Sequence, residues 1–142
     1  MRGFFIYTSS YIMKFTLVIN GAPWSSPSAR TALKFAETAL SSGHEIYRLF
    51  FYQDGTGNAS GYCVAPQDEE DIPARWEALI TKHDIDAVVC AASAHKRGIL
   101  DYAESERYER DGANLRPGFT VSGLGQFIDA ATQSDRVVSF VT

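Results

Sequence analysis

The sequence predicts an α/β domain: a doubly wound sheet of the flavodoxin or Rossmann kind, with about five mostly parallel strands and helices on both faces. Three observations carry that prediction. Short, nearly continuous apolar runs at Phe15–Ile19, Glu45–Tyr52 and Asp86–Cys90 have the composition of strands buried on both faces, as a parallel sheet requires. Each run is followed by cap signals or by apolar residues at helical spacing, which sets an alternation of strand and helix. The chain has 142 residues, 45% of them hydrophobic and 21% charged, enough for one core, and it shows no internal repeat and no linker.

Taken in order, Phe15–Ile19 is a central strand, and Asn20–Ser26 is a loop punctuated by Gly21 and Pro23. Ser26 before Pro27 reads as an N-cap followed by proline at the first helical position. The helix that follows carries Ala29, Ala32, Leu33, Ala36 and Leu40 on one face and ends near Gly43. Glu45–Tyr52 is β-branched and aromatic, hence a second strand. Gln53–Pro66, rich in Gly, Asn and Ser, is expected as a flexible or interface loop.

The acidic run Gln67–Asp71 suits a helix N-terminus. Pro73 delays the regular helix, so Asp71 is the preferred cap. Ile72, Trp76, Leu79 and Ile80 then fall at helical spacing and face the sheet, with Trp76 in the core. Asp86–Cys90 is the third strand, Ala91–Gly98 a turn and short helix, and Ile99–Tyr108 a polar, helix-compatible stretch. Glu104, Glu106 and Glu109 alternate there with Arg107 and Arg110, the pattern of a solvated face. After the loop Asp111–Pro117, Phe119–Val121 is strand-like. Ser122-Gly123-Leu124-Gly125 opens a helix with Ser122 as cap and with Leu124, Phe127, Ile128 and Ala131 in it, and Arg136–Val141 closes the chain as a last strand.

Composition narrows the partners. Seventeen acidic residues against 13 Lys and Arg give a formal net charge of −4, a poor basis for holding nucleic acid by its phosphates, so no direct nucleic-acid binding is expected. Cys63 and Cys90 make no disulfide framework, and no Cys/His spacing suggests a metal. A reducing, cytoplasmic setting follows as the expectation. No stretch approaches the ~20 apolar residues of a membrane-spanning helix. The apolar start Gly3–Tyr7 is broken by Thr8-Ser9-Ser10 and lacks a small-residue cleavage site. Residues 1–12 are therefore expected as a peripheral N-terminal extension and residues 13–142 as the domain.

The stretch with chemistry in it is Asp86–Arg97. A thiol at Cys90, at the carboxyl end of a parallel strand, sits where open α/β sheets place their reactive groups. His95, Lys96 and Arg97 follow it; they suit stabilising a thiolate, docking an acidic partner, or a solvated helix end. Gly55, Gly57 and Gly61 invite a phosphate-loop reading within a flavodoxin-like nucleotide-binding module. The third glycine of G-x-G-x-x-G would have to be residue 60, which is Ser60, and no Gly-Lys-Ser/Thr follows. His44 and His83 lie between helices and strands, where capping or surface histidines are usual.

From Met13 to Phe140 the chain resembles the DsrE/TusD family of sulfur-relay subunits. The matching pieces are Gly43-His44-Glu45-Ile46 into Phe50-Phe51-Tyr52, Val88-Val89-Cys90-Ala91-Ala92, Arg97-Gly98-Ile99, and Ser122-Gly123-Leu124-Gly125-Gln126. The resemblance implies a sulfurtransferase that accepts sulfane sulfur on Cys90 as a persulfide from an upstream donor and passes it to a TusE/DsrC-type carrier. It further implies a hetero-hexamer with TusB/DsrH-like and TusC/DsrF-like subunits, and no metal or organic cofactor. In the Tus version the sulfur ends in the 2-thiouridine of tRNA wobble positions; in the Dsr version it serves cytoplasmic sulfur oxidation. Cys63 matches none of these pieces.

Overall fold

Strands and helices alternate along the computed structural model, which describes residues 11–142. The elements are β1 (Lys14–Ile19), α1 (Ser28–Ser41), β2 (Glu45–Phe51), α2 (Ile72–His83), β3 (Ala87–Cys90), α3 (Ala91–Lys96), α4 (Tyr102–Arg107), β4 (Phe119–Ser122), α5 (Gly125–Gln133) and β5 (Arg136–Phe140). All five strands are parallel, in the order β4-β3-β2-β1-β5. Of the extension expected over residues 1–12, only the exposed Tyr11 and Ile12 fall within the described residues.

The strand order dictates the layers. From β1 to β4 the chain steps one way across the sheet, so right-handed crossovers place α1, α2 and the α3–α4 connection on one face. The return from β4 to β5 runs the other way and puts α5 on the opposite face. Side-chain alternation follows suit. Leu17, Ile19, Leu49, Phe51, Ala87 and Val89 pack with Leu33, Trp76 and Ile80 in the larger core. Val18, Phe50, Val88 and Cys90 point the other way, towards Phe127 of α5.

Among the described residues, the second face is thinly covered. The apolar residues expected to bury α5 do not all do so: Leu124 is 53% and Ile128 64% exposed, and Ala130 is the buried residue of the helix. One nine-residue helix is too small to roof a five-stranded sheet. What ties α5 down is polar. Arg48, buried at 8% exposure on β2, donates from Nε to Asp86 Oδ2 (2.8 Å) and from NH1 to Gln126 O (2.7 Å) and Asp129 Oδ2 (3.0 Å). Burial opposes the charge of Arg48, but the bonds to Asp86 and Asp129 outweigh it and raise the pKa. Tyr47 donates its hydroxyl to the same Asp129 (2.8 Å), which raises the tyrosine pKa.

Caps divide into those legible from sequence and those not. Asp71 Oδ1 accepts from the Ala74 N–H at 3.0 Å, so it is the cap of α2. Asp71→Ala is expected to lower stability by about 1 kcal/mol, read as a shift in the urea midpoint. The Ser26 hydroxyl accepts from the Ser28 N–H (3.2 Å), but Pro27 precedes the first helical residue instead of occupying it. Ser122 does not cap α5; it ends β4, and Leu124 takes the N-cap position without a side-chain bond.

The glycine-rich stretch is not the flexible loop expected. Gln53–Ala59 forms a 3-10 segment with Thr56, Asn58 and Ala59 fully buried. The Asn58 amide donates to the Gly21 and Gly55 carbonyls at 3.0 and 2.9 Å. A Cβ on Gly55 would stand 1.9 Å from the Ile19 carbonyl oxygen, so this glycine lets the segment lie against the end of β1. Chain packing, not a phosphate, explains it.

Candidate active site

Cys90 ends β3 and is the residue from which α3 begins, in extended conformation (φ −62°, ψ 120°). It pairs in register with Ser122 at the end of β4. The two strands then part company: the chain leaves β3 towards the four-helix face and leaves β4 towards α5. Where neighbouring connections diverge, a crevice opens outside the carboxyl ends of the strands. Cys90 lies at its base, 4% exposed.

The crevice is a cleft of about 530 Å³. Tyr52 and Gln53 at the end of β2 form one wall, Gly123 and Leu124 after β4 another, and Ala92, Lys96 and Arg97 of the α3 segment a third. Backbone N–H groups of the first helical turn are free of intrahelical partners and suit negative charge at this edge.

The basic trio splits. Arg97 makes two bonds, from Nε to Asp54 Oδ1 (2.8 Å) and from NH1 to the Ser93 carbonyl (3.0 Å), with Asp54 supplied by the exposed start of the 3-10 segment. Lys96 is exposed and makes no ion pair among the described residues. His95 turns away. It lines a different cleft with Tyr62, Tyr108 and Asn114, its Nε2 lies 3.0 Å from Glu104 Oε2 without an aligned hydrogen bond, and its ring meets Tyr108 edge-on at 5.3 Å. Glu104, expected on a solvated face, is thus four-fifths buried against His95.

Cys63 is half-buried on the segment after Ala59, with Sγ 3.8 Å from the Gly57 carbonyl, and lines neither cleft. Among the described residues, no group of His, Cys, Asp and Glu side chains is arranged to hold a metal ion. Tyr52 and Leu124 fall within the matching pieces but carried no assigned role, and Asp54 had no motif to mark it. The signal for Asp54 was positional, since it lies just beyond β2, the strand that neighbours β3.

Residues 13–140 match the DsrE/DsrF-like family. The chain belongs to that family. The match spans all five strands and places Cys90 well inside it. Among curated relatives, the sulfurtransferase TusD homolog of Pseudomonas aeruginosa is 52% identical over 128 residues, covering 90% of this chain and 97% of that protein. The putative sulfurtransferase DsrE of Allochromatium vinosum is 45% identical, covering 90% and 98%, and sulfurtransferase TusD of Salmonella enteritidis 40%, covering 90% and 100%. Among solved structures, the ychN protein from E. coli superposes with a TM-score of 0.66 at 22% identity, over 91% of this chain and 100% of that one, which shows the shared fold. The relatives' names agree on sulfur transfer, and this DsrE/DsrF-like chain is of that activity class. No helix among the described residues is long and apolar enough to cross a membrane.

Proposed function

We propose that the chain accepts sulfane sulfur on Cys90 as a persulfide and relays it to a TusE/DsrC-type carrier. One observation carries the reading: in a chain of sulfurtransferase kinship, Cys90 is the cysteine at the base of a cleft with cationic side chains on its rim. The chemistry is exchange at sulfur. A thiolate attacks the terminal sulfur of a donor persulfide, the donor leaves as thiolate, and the sulfur stays bonded to Cys90. The Ala91–Ser93 backbone and Lys96 supply positive potential for the charged sulfur, while Arg97, held by Asp54, shapes the rim.

Incubation with a cysteine desulfurase, its relay proteins and cysteine is expected to add the mass of one sulfur atom to the wild type and to Cys63→Ser, and none to Cys90→Ser. The opposite pattern moves the active thiol to Cys63. The basic trio is expected to divide functionally as it does in space. Lys96→Gln slows loading by roughly three- to tenfold and removes its dependence on ionic strength, while His95→Gln stays within about twofold of wild type.

The setting proposed is the cytoplasm, in a hetero-oligomer with TusB/DsrH-like and TusC/DsrF-like subunits, the domain comprising residues 13–142. The sulfur is destined for 2-thiouridine at tRNA wobble positions, a branch supported by the 52% identity to a TusD homolog. The 45% identity to the Allochromatium DsrE supports sulfur oxidation as the alternative. Deleting the gene separates them: loss of 2-thiouridine from bulk tRNA identifies the first, and unchanged tRNA with impaired sulfur oxidation the second.

A further inference from the structure

We infer that Ser122 is a second functional residue of the sulfur site. Its hydroxyl donates a hydrogen bond to Sγ of Cys90 whenever that sulfur carries the charge, as nucleophile in loading and as leaving group in discharge. The inference rests on the persulfide reading above.

Strand register places the two side chains together. Cys90 on β3 pairs with Ser122 on β4, and the strands are parallel, so the two residues stand side by side about 5 Å apart. They also share a face. Cys90 packs with Val18, Phe50 and Val88 on the α5 side. Phe119 packs in the core on the other side, and Ser122, three residues along the same strand, alternates to the face of Cys90. Oγ and Sγ are each one bond from Cβ, so they lie at the same height above the sheet. The hydroxyl is not spent on α5, which begins after Leu124 without a side-chain cap bond. Among the described residues the hydrogen-bonded thiol is that of Cys63; Cys90 is unbonded at rest, and the Ser122 hydroxyl reaches it by rotation about χ1.

A thiolate at Cys90 needs a donor on that side. The residue is 4% exposed, so water solvates it little, and the side chains packed with it are apolar. An apolar groove of about 430 Å³ adjoins the cleft there, sharing Tyr52 and Leu124 with it and lined further by Phe50, Phe127 and Ile128. Two other hydroxyl-bearing side chains line the cleft. Tyr52 follows Phe51, the partner of Val89, so its ring stands beside Cys90 and its hydroxyl lies several bonds further out. Ser93 rises with α3 towards the four-helix face, away from the cluster that holds Cys90.

The charge on Sγ comes and goes with the transferred sulfur. In loading, the Cys90 thiolate attacks the outer sulfur of a donor persulfide. A bond forms from Sγ to that sulfur, the donor's sulfur–sulfur bond breaks, and its electron pair leaves on the donor as thiolate. In discharge the bond to Sγ breaks and its electron pair returns to Cys90, while the proton stays with the transferred sulfur until the acceptor takes it. A hydrogen bond at Sγ therefore acts twice: it raises the share of thiolate at neutral pH, and it stabilises the leaving group. It also weakens the thiolate as a nucleophile, with a Brønsted slope of about 0.4–0.5. These opposed effects give the hydroxyl a signature that packing alone does not produce.

The test uses the full chain carrying Cys63→Ser, so that Cys90 is the thiol followed, and the neutral disulfide dithiodipyridine, from roughly pH 6 to pH 10. Ser122 ends its strand half-buried, so its variants are expected to fold. Ser122→Ala is expected to move the midpoint of the rate profile up by about one unit. Below the midpoint it reacts about threefold more slowly than the parent, and on the alkaline plateau about threefold faster, so the two profiles cross. Ser122→Thr keeps the hydroxyl and follows the parent. Discharge is read on protein loaded with sodium polysulfide: Ser122→Ala releases thiocyanate to cyanide about threefold more slowly, and Ser122→Thr at the parental rate. Superimposed profiles for Ser122→Ala and parent overturn the inference. So does a Ser122→Ala chain that is slower at every pH, which marks altered access, and so does a Ser122→Thr chain that behaves like Ser122→Ala. A crossing produced by Ser93→Ala and absent in Ser122→Ala places the donor on α3 and also overturns it. If the profiles cross but the parent gains no sulfur mass at Cys90, the persulfide reading fails and the role of Ser122 in transfer falls with it, while the bond between the two side chains stands.

Discussion

A Cys90→Ala chain is expected to fold and assemble like the wild type yet pass no sulfur, a loss on the order of 10³-fold or more in transfer rate. Among the described residues, no other side chain lining the cleft supplies a sulfur nucleophile. Tyr52, Gln53, Lys96 and Arg97 bind and shape, but none forms a persulfide. Alanine is the better test than serine for stability, because a hydroxyl at a site 4% exposed would need a partner that Cys90 does not need. Removing one sulfur from the small cluster with Val18, Phe50 and Val88 is expected to lower stability by about 1 kcal/mol, so loss of transfer will not reflect loss of fold. The two quantities are separable in one preparation, by urea denaturation and by mass-resolved sulfur transfer. A relay complex that keeps its flux with Cys90→Ala would make this chain an assembly subunit without a working thiol.

The parallel sheet was legible because its central strands are apolar runs too short for a helix. Val88–Cys90 and Leu17–Ile19 show this plainly. Trp76 and Asp71 were legible for the same reason: helical spacing and cap chemistry are local properties, and tertiary contacts here agree with them. The Gln53–Ala59 segment misled because Gly and Asn are also the residues of mobile loops. What fixes it is non-local, the amide of Asn58 bonding to Gly21 and the absence of a Cβ at Gly55 against Ile19. At the site, Cys90 could be placed at a strand end from its own neighbourhood. The division of His95 from Lys96 and Arg97 could not, since it depends on the direction in which a six-residue helix turns and on Glu104, nine residues further along the chain. The groove on the α5 face was hidden for a related reason. The spacing of Leu124, Phe127 and Ile128 says that α5 has an apolar face, and only the strand order says that, among the described residues, no other helix shares that side of the sheet.

The Arg48 clamp sets the second large effect. Arg48→Leu is expected to destabilise the chain by about 2–4 kcal/mol, read as a lower urea midpoint. The variant keeps much of the buried stem volume but removes every bond from the guanidinium to Asp86, Asp129 and the Gln126 carbonyl. Asp86 and Asp129 are each nearly half exposed, at 47% and 46%, so water recovers much of their solvation and the loss stays below that of a stranded buried charge. Asp129→Asn is expected to lose only about 1 kcal/mol, because Arg48 keeps Asp86 and the amide still accepts a bond. The decisive reading is spatial. Arg48 holds α5 to the sheet, and Leu124, at the N-cap of α5, walls both the Cys90 cleft and the groove beside it. Hydrogen exchange in Arg48→Leu should therefore accelerate through Gly125–Gln133 well before it accelerates in β1 and β2. Sulfur transfer out of Cys90 should slow in step with that loosening, although Arg48 lines neither cavity. Uniform acceleration of exchange across the sheet would show instead that the clamp holds the whole domain and has no separate hold on the site.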